Sequence, residues 1–162
     1  MKEIVGNIFT VEADAICVPT NGIVKANGEL TMGKGLALQF AENFPMILSN
    51  GWEKGSLAQE LGKRVKSLGN IPHLIQHDEW TDCDYYQWNI ISFPTKNHWQ
   101  DPSSIKLIEC STISLVKLVN DNKFTNVVLP RVGCGLGQLN WSQVKIVLET
   151  YLDDRFSVIT PK

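Results

Sequence analysis

Two glycine-bearing stretches carry the clearest chemical signal in this sequence. In Thr31-Met32-Gly33-Lys34-Gly35-Leu36-Ala37-Leu38-Gln39-Phe40, two glycines run straight into a segment of helical periodicity. Without a Cβ, backbone amides can approach an oxyanion closely, and the free N–H groups of a first helical turn add partial positive charge. The dinucleotide fingerprint would need a third glycine, and a P-loop would need Gly-Lys-Ser/Thr. In Leu129-Pro130-Arg131-Val132-Gly133-Cys134-Gly135-Leu136-Gly137-Gln138-Leu139, an apolar strand breaks into three alternating glycines ahead of another helical pattern. A tight turn accounts equally well for the first loop alone, whereas three glycines in five residues argue against a plain turn in the second. Together they suit a phosphate-bearing ligand gripped from two sides, without specifying a reaction.

These loops need a scaffold, and short Val- and Ile-rich runs supply one. Ala15 to Pro19, Ile71 to Gln76, Trp88 to Phe93, Asn126 to Leu129 and Phe156 to Thr160 read as strands, their continuous apolar character suiting cover on both faces. A helix is expected from Gly35 to Asn43, ending before Pro45. A second, from Asp101 to Asn120, places Ile105, Ile108, Thr112, Leu115 and Val119 on one face, with Asp101 as cap and Pro102 in the first turn. A third is capped by Asn140, with Gln143 three residues on, and turns Val144, Val147, Leu148 and Tyr151 inward. Alternating strands and helices predict an α/β/α three-layer sandwich around a central mixed sheet, with ligands gathered at the carboxyl ends of strands.

Composition narrows the class. The chain has 162 residues, 43% hydrophobic and 20% charged, which suits one globular domain over residues 1–162. No apolar run is long enough to span a membrane, and the start MKEIVGNIF lacks the core of a signal peptide, so a cytoplasmic protein is expected, and with no long exposed apolar stripe a monomer is the default. The formal charge of −2 offers no overall field for nucleic acid, so an anionic ligand must be met locally. Four dispersed cysteines, Cys17, Cys83, Cys110 and Cys134, read as reduced thiols.

With both loops in view, together with Pro19-Thr20-Asn21-Gly22 and Phe93-Pro94-Thr95-Lys96, the chain resembles a macrodomain. It is most similar to the branch of antitoxin-type DNA ADP-ribosyl glycohydrolases and related phage and bacterial ADP-ribose-processing proteins. The resemblance runs from Gly6-Asn7-Ile8 through Asp153 and is most specific in residues 32–40, 93–96 and 129–141. It implies ADP-ribose, or an ADP-ribosylated DNA or protein, as partner, with no cofactor. Asn7 and Ile8 would meet adenine, with Asn7 standing where the family has an acid. Asn21 would meet the distal ribose, with Asn27 as a rival. Met32, Gly33, Lys34, Gly35 and Leu36 would lie along the diphosphate beside Thr95, and Gly133, Cys134, Gly135, Leu136 and Gly137 would close over it.

By the same resemblance, Lys96 is the catalytic candidate. From the residues alone it is a solvated lysine at a strand end. A neutral amine could attack the anomeric carbon, whereas an ammonium could protonate the leaving group, and a neighbouring diphosphate favours the ammonium. Some relatives pair this lysine with an acid at the position of Gly137, and the acid usual before the tryptophan is Asn140 here. The expected activity is hydrolytic release of ADP-ribose. A non-catalytic reader or a sponge for an ADP-ribose-derived nucleotide is the alternative, and an ADP-ribose 1″-phosphatase a weaker one. His73 and His77 fall on a strand, where four-residue spacing does not make a metal site, so no metal is expected. Asp82, Cys83 and Asp84 read as a hairpin tip. Lys54, Lys63, Arg64 and Lys66 read as a solvated surface, with DNA backbone contact as the rival. His98 and Trp99 could stack on a base or sugar.

Overall fold

The computed structural model describes residues 1–43, 45–47, 54–76 and 89–162. Its central sheet comprises β1 (Lys2–Val5), β2 (Ala15–Thr20), β5 (Leu74–Ile75), β6 (Asn89–Pro94), β7 (Val127–Pro130) and β8 (Phe156–Thr160) in the order β1-β8-β7-β2-β6-β5. Every neighbouring pair is parallel except β5 with β6, so the sheet is mixed. A separate ribbon pairs β3 (Pro45–Ile47) with β4 (Lys54–Ser56) antiparallel. The helices described are α1 (Gly35–Asn43), α2 (Leu57–Leu68), α3 (Ile105–Asn122) and α4 (Trp141–Tyr151).

The two-residue period of the strands builds two cores at once. Ile16, Val18, Ile90, Val128 and Ile159 pack on one face with Phe40 of α1 and Leu57, Leu61 and Val65 of α2. Their neighbours Ala15, Cys17, Ile91, Phe93, Val127, Leu129 and Val158 pack on the other with Ile108, Leu115 and Val119 of α3 and Val144 and Leu148 of α4. This is the α/β/α sandwich expected from the alternation of elements. Full burial of Cys17 pushes its thiol far above the ordinary range and keeps it unreactive.

Several elements depart from the expected bounds. The helix α3 begins at Ile105, and Ser104 caps it by accepting from Leu107 N at 3.3 Å. Asp101 cannot be the cap because Ser103 N donates to Gly137 O (2.9 Å) and Ser104 N to Thr95 O (2.8 Å), which holds residues 102–104 outside the helix. β5 shrinks to two residues because Pro72 has no N–H and His73 N donates to Ser92 Oγ at 2.9 Å. Tyr151 does not join the inward stripe; its hydroxyl donates to Glu109 Oε1 at 2.7 Å. The α2 helix was not expected, yet its start carries a full capping box: Gln59 N donates to Ser56 Oγ and Ser56 N donates to Gln59 Oε1. Lys63 and Lys66 lie exposed on α2, and Arg64 pairs with Glu60 at 3.0 Å and donates to Leu74 O. The expected features at His77, Asp82, Cys83, Asp84 and Trp88 lie outside the described residues.

Candidate functional site

The parallel strands β2, β6 and β7 end at one edge of the sheet, with Thr20 in register with Pro94. At that edge a cavity of about 830 Å³ opens between the two glycine loops. Asn21, Met32, Gly33, Lys34, Gly35, Leu36, Thr95, Lys96, Gly133, Gly135, Leu136 and Gly137 all line it. The cavity is therefore built from loops that are far apart in sequence.

The first loop leads into α1 without a side-chain cap, whereas Ser56, Ser104 and Asn140 cap the other three helices. The amides of residues 32–37 find no acceptor among the described residues. Those of Gly133, Gly135, Leu136 and Gly137 likewise have no such acceptor. Both sets belong to residues lining the cavity, and their uncompensated N–H dipoles make an anion-binding surface. Charge agrees with them: among the described residues Lys34, Lys96 and Arg131 line the cavity against the one carboxylate of Asp101, the Arg131 guanidinium also pairing with Glu3 Oε1 at 3.5 Å. A chain of net charge −2 thus concentrates positive charge where the free amides lie.

Two glycines are fixed by this geometry. Gly35 has φ +59°, and a Cβ there would stand 3.1 Å from Leu136 Cδ1, so the second loop reaches across to the first. A Cβ on Gly137 would stand 2.1 Å from Ser103 Oγ and 2.5 Å from Gly133 O. Gly137 O in turn accepts from Ser103 N, which locks the loop to the segment before α3.

Asn21 spends its amide on local structure: Nδ2 donates to Thr31 O (2.8 Å) and Oδ1 accepts from Ile23 N (2.9 Å). It therefore ties the end of β2 to the first glycine loop. Asn27 bonds to Glu29 and does not line the cavity. Lys96 has no ion-pair partner among the described residues, and its backbone is held by Asn70 Nδ2 donating to Lys96 O at 3.1 Å.

Three expected contacts lie outside the main cavity. Ile8 is buried in the α1/α2 core. Asn7 Oδ1 accepts from Phe9 N at 2.9 Å, which closes a turn. Cys134 turns to a second cavity of about 430 Å³ that shares Pro130, Arg131 and Gly135 with the first. Burial raises the Cys134 thiol, with Arg131 opposing the shift. Thr160 also lines the second cavity, and its carbonyl accepts from Gly6 N at 2.9 Å; Asn7 lines neither cavity.

Trp99, a stacking candidate in the sequence, lines the main cavity, and the structure adds Gln100, Asp101, Ser103 and Arg131, which were not expected there. The position of Arg131 between a buried strand and a glycine loop was a usable signal; Asp101 was obscured by its reading as a helix cap. His73 is buried, with Nε2 2.9 Å from Gly69 O, and no group of three or more metal-ligating side chains occurs among the described residues. Among those residues no helix is long and apolar enough to cross a membrane.

A three-layer sandwich with two glycine loops over the ends of its parallel strands is the macrodomain arrangement, and the chain has the macrodomain fold. The Macro domain family model matches residues 81–148. The DNA ADP-ribosyl glycohydrolase of Mycobacterium tuberculosis is 32% identical over 117 residues, covering 70% of this chain and 29% of that protein. A DNA ADP-ribosyl transferase-DNA ADP-ribosyl glycohydrolase fusion protein of Thermosipho africanus is 30% identical over 154 residues, covering 90% of this chain and 39% of that protein. This chain therefore spans well under half the length of these curated relatives. The structure of Thermosipho africanus DarTG in complex with ADP-ribose superposes with a TM-score of 0.73 at 25% identity, over 99% of this chain and 42% of that one. The macrodomain of Mycobacterium tuberculosis DarG gives 0.71 at 23% identity, over 98% of this chain and 99% of that one.

Proposed function

We propose that residues 1–162 act as one macrodomain that binds ADP-ribose and hydrolyses its bond to a modified macromolecule, with a DNA base as the attachment point. The observation that carries this reading is the pair of unpartnered amide sets on opposite loops of one cavity with Lys96 on its wall. A diphosphate satisfies both sets, and Lys34 and Arg131 add charge. On this reading the second cavity, lined by Cys134 and sharing Arg131 and Gly135 with the first, takes the adenine end. The names of the relatives support the choice of a DNA linkage.

Cleavage breaks the bond from the anomeric carbon to the leaving base, and that bonding pair departs with the base. The ammonium of Lys96 delivers a proton to the leaving group. A water molecule adds its oxygen to the anomeric carbon and returns a proton to the lysine, so atoms and charge balance. A lysine beside a diphosphate is well placed for this acid role, because the anion stabilises the ammonium. Binding without turnover is the second reading, favoured by Gly137: the close approach there admits no side chain, so the acid found at this position in some relatives has no counterpart.

Release of ADP-ribose from ADP-ribosylated oligodeoxynucleotides and proteins, compared between wild type and Lys96→Ala, tests the reading. Release by wild type with a loss of 100-fold or more in the variant, on the order expected for a general acid, supports it, provided both bind free ADP-ribose. Equal release by both overturns the role of Lys96. Binding without release from any substrate leaves the reader.

A further inference from the structure

The lining of the main cavity combines two chemistries. The glycine loops bring free amides that suit phosphate oxygens. The segment that follows Lys96 brings an indole, a carboxamide and a carboxylate: Trp99, Gln100 and Asp101. Trp99 leaves 47% of its surface open. An exposed tryptophan is ordinary by itself, but this one is held in place on the cavity wall.

The residues on either side of Trp99 are fastened. Gly22 N donates to Asn97 O (3.0 Å), Asn70 Nδ2 donates to Lys96 O and to Asn97 Oδ1 (both 3.1 Å), and Asp101 N donates to His98 O (3.1 Å). Gln100 N donates to His98 Nδ1 at 3.2 Å, and the imidazole stacks against the indole with ring centroids 5.6 Å apart at 25°. The ring is therefore pre-ordered, and a ligand covering it loses little side-chain freedom.

We infer that Trp99, with Gln100 and Asp101, forms a subsite for a nucleobase as the leaving group. This deepens the proposed function and rests on it. A base offers a π-face to the indole and edge donors and acceptors to the carboxamide and carboxylate. A glutamate or serine side chain as leaving group offers no such face. Trp99 is on this account a specificity residue: it holds the base beside Lys96, while the amide loops hold the rest.

Binding by the Lys96→Ala protein, in which substrate persists, separates this inference from the reading beneath it. The probes are free ADP-ribose, an oligodeoxynucleotide ADP-ribosylated on a base, and a peptide ADP-ribosylated on glutamate. Adding Trp99→Ala is expected to weaken the oligodeoxynucleotide by about 5- to 150-fold, the range for losing one base–aromatic stack. Free ADP-ribose and the peptide should stay within about twofold, and Trp99→Phe should retain most of the affinity. Unchanged oligodeoxynucleotide affinity, or equal weakening of all three probes, overturns the subsite while leaving the ADP-ribose site standing. Failure of the wild-type protein to bind free ADP-ribose overturns the cavity reading, and the subsite with it.

Discussion

Gly137→Ala tests how the second glycine loop is built. The added methyl would meet Ser103 Oγ at 2.1 Å, Gly133 O at 2.5 Å and Ser103 Cβ at 2.8 Å, whereas Cβ contacts under 3.0 Å essentially never occur. The serine hydroxyl can rotate, since Ser103 Oγ is buried without a hydrogen-bond partner. The backbone oxygen cannot move so freely, because Gly133 O accepts from Leu139 N at 3.0 Å and Gly137 O accepts from Ser103 N at 2.9 Å. The loop must therefore shift by at least about half an ångström and strain one of these bonds, an overpacking cost of about 1–3 kcal/mol. At about 2–4 °C per kcal/mol for a chain of this length, Tm falls by roughly 2–12 °C. Gly135→Ala, two residues away, is the control: a Cβ there meets nothing within 4 Å, and stability should stay within about 0.5 kcal/mol of wild type. Both variants are read by thermal unfolding without ligand. A Gly137→Ala protein melting with wild type, or a Gly135→Ala protein falling equally far, would refute the reasoning.

Two further perturbations bear on the scaffold. Gly62→Ala should gain about 1 kcal/mol from helix propensity alone, but its Cβ would stand 2.0 Å from Gly28 O and 2.8 Å from Leu30 N, so a net loss of about 2 kcal/mol is expected; a gain in urea unfolding would contradict the close crossing of α2 over that segment. Burial holds the His73 imidazole below its ordinary value, with Gly69 O opposing and Arg64 adding to the shift. The unfolded chain therefore binds the proton first, so the contribution of His73 is fully present above about pH 6.5 and is lost as pH falls toward the folded-state value. A ring titration by NMR at or above the ordinary value, or a Tm that rises on acidification through this window relative to His73→Gln, would contradict that sign.

The sequence by itself determined what depends on neighbours along the chain. The bounds of α1, Gly35–Asn43, followed from glycines before it and Pro45 after it. The cap Asn140 accepts from Ser142 N as its position implied. The inward faces of β2, β6, β7 and β8 were legible because buried strands must be apolar on both sides. The glycine loops were legible for the same local reason.

Tertiary structure decided where amides and side chains were spent. Asp101 was the expected cap; carbonyls of Gly137 and Thr95, remote in sequence, claimed the amides of Ser103 and Ser104 and so moved the start of α3 to a Ser104 cap and left Asp101 on the cavity wall. Cys134 carried suitable chemistry, but its placement on the second cavity follows from the turn of the loop, and Asn7 closes a local turn with Phe9 N. Trp99, Gln100 and Arg131 became site residues only because β2, β6 and β7 end together. Spacing along a chain fixes which groups can act within a few residues of one another. Which distant groups share a cavity is fixed by strand order and register, which arise from packing the whole sheet.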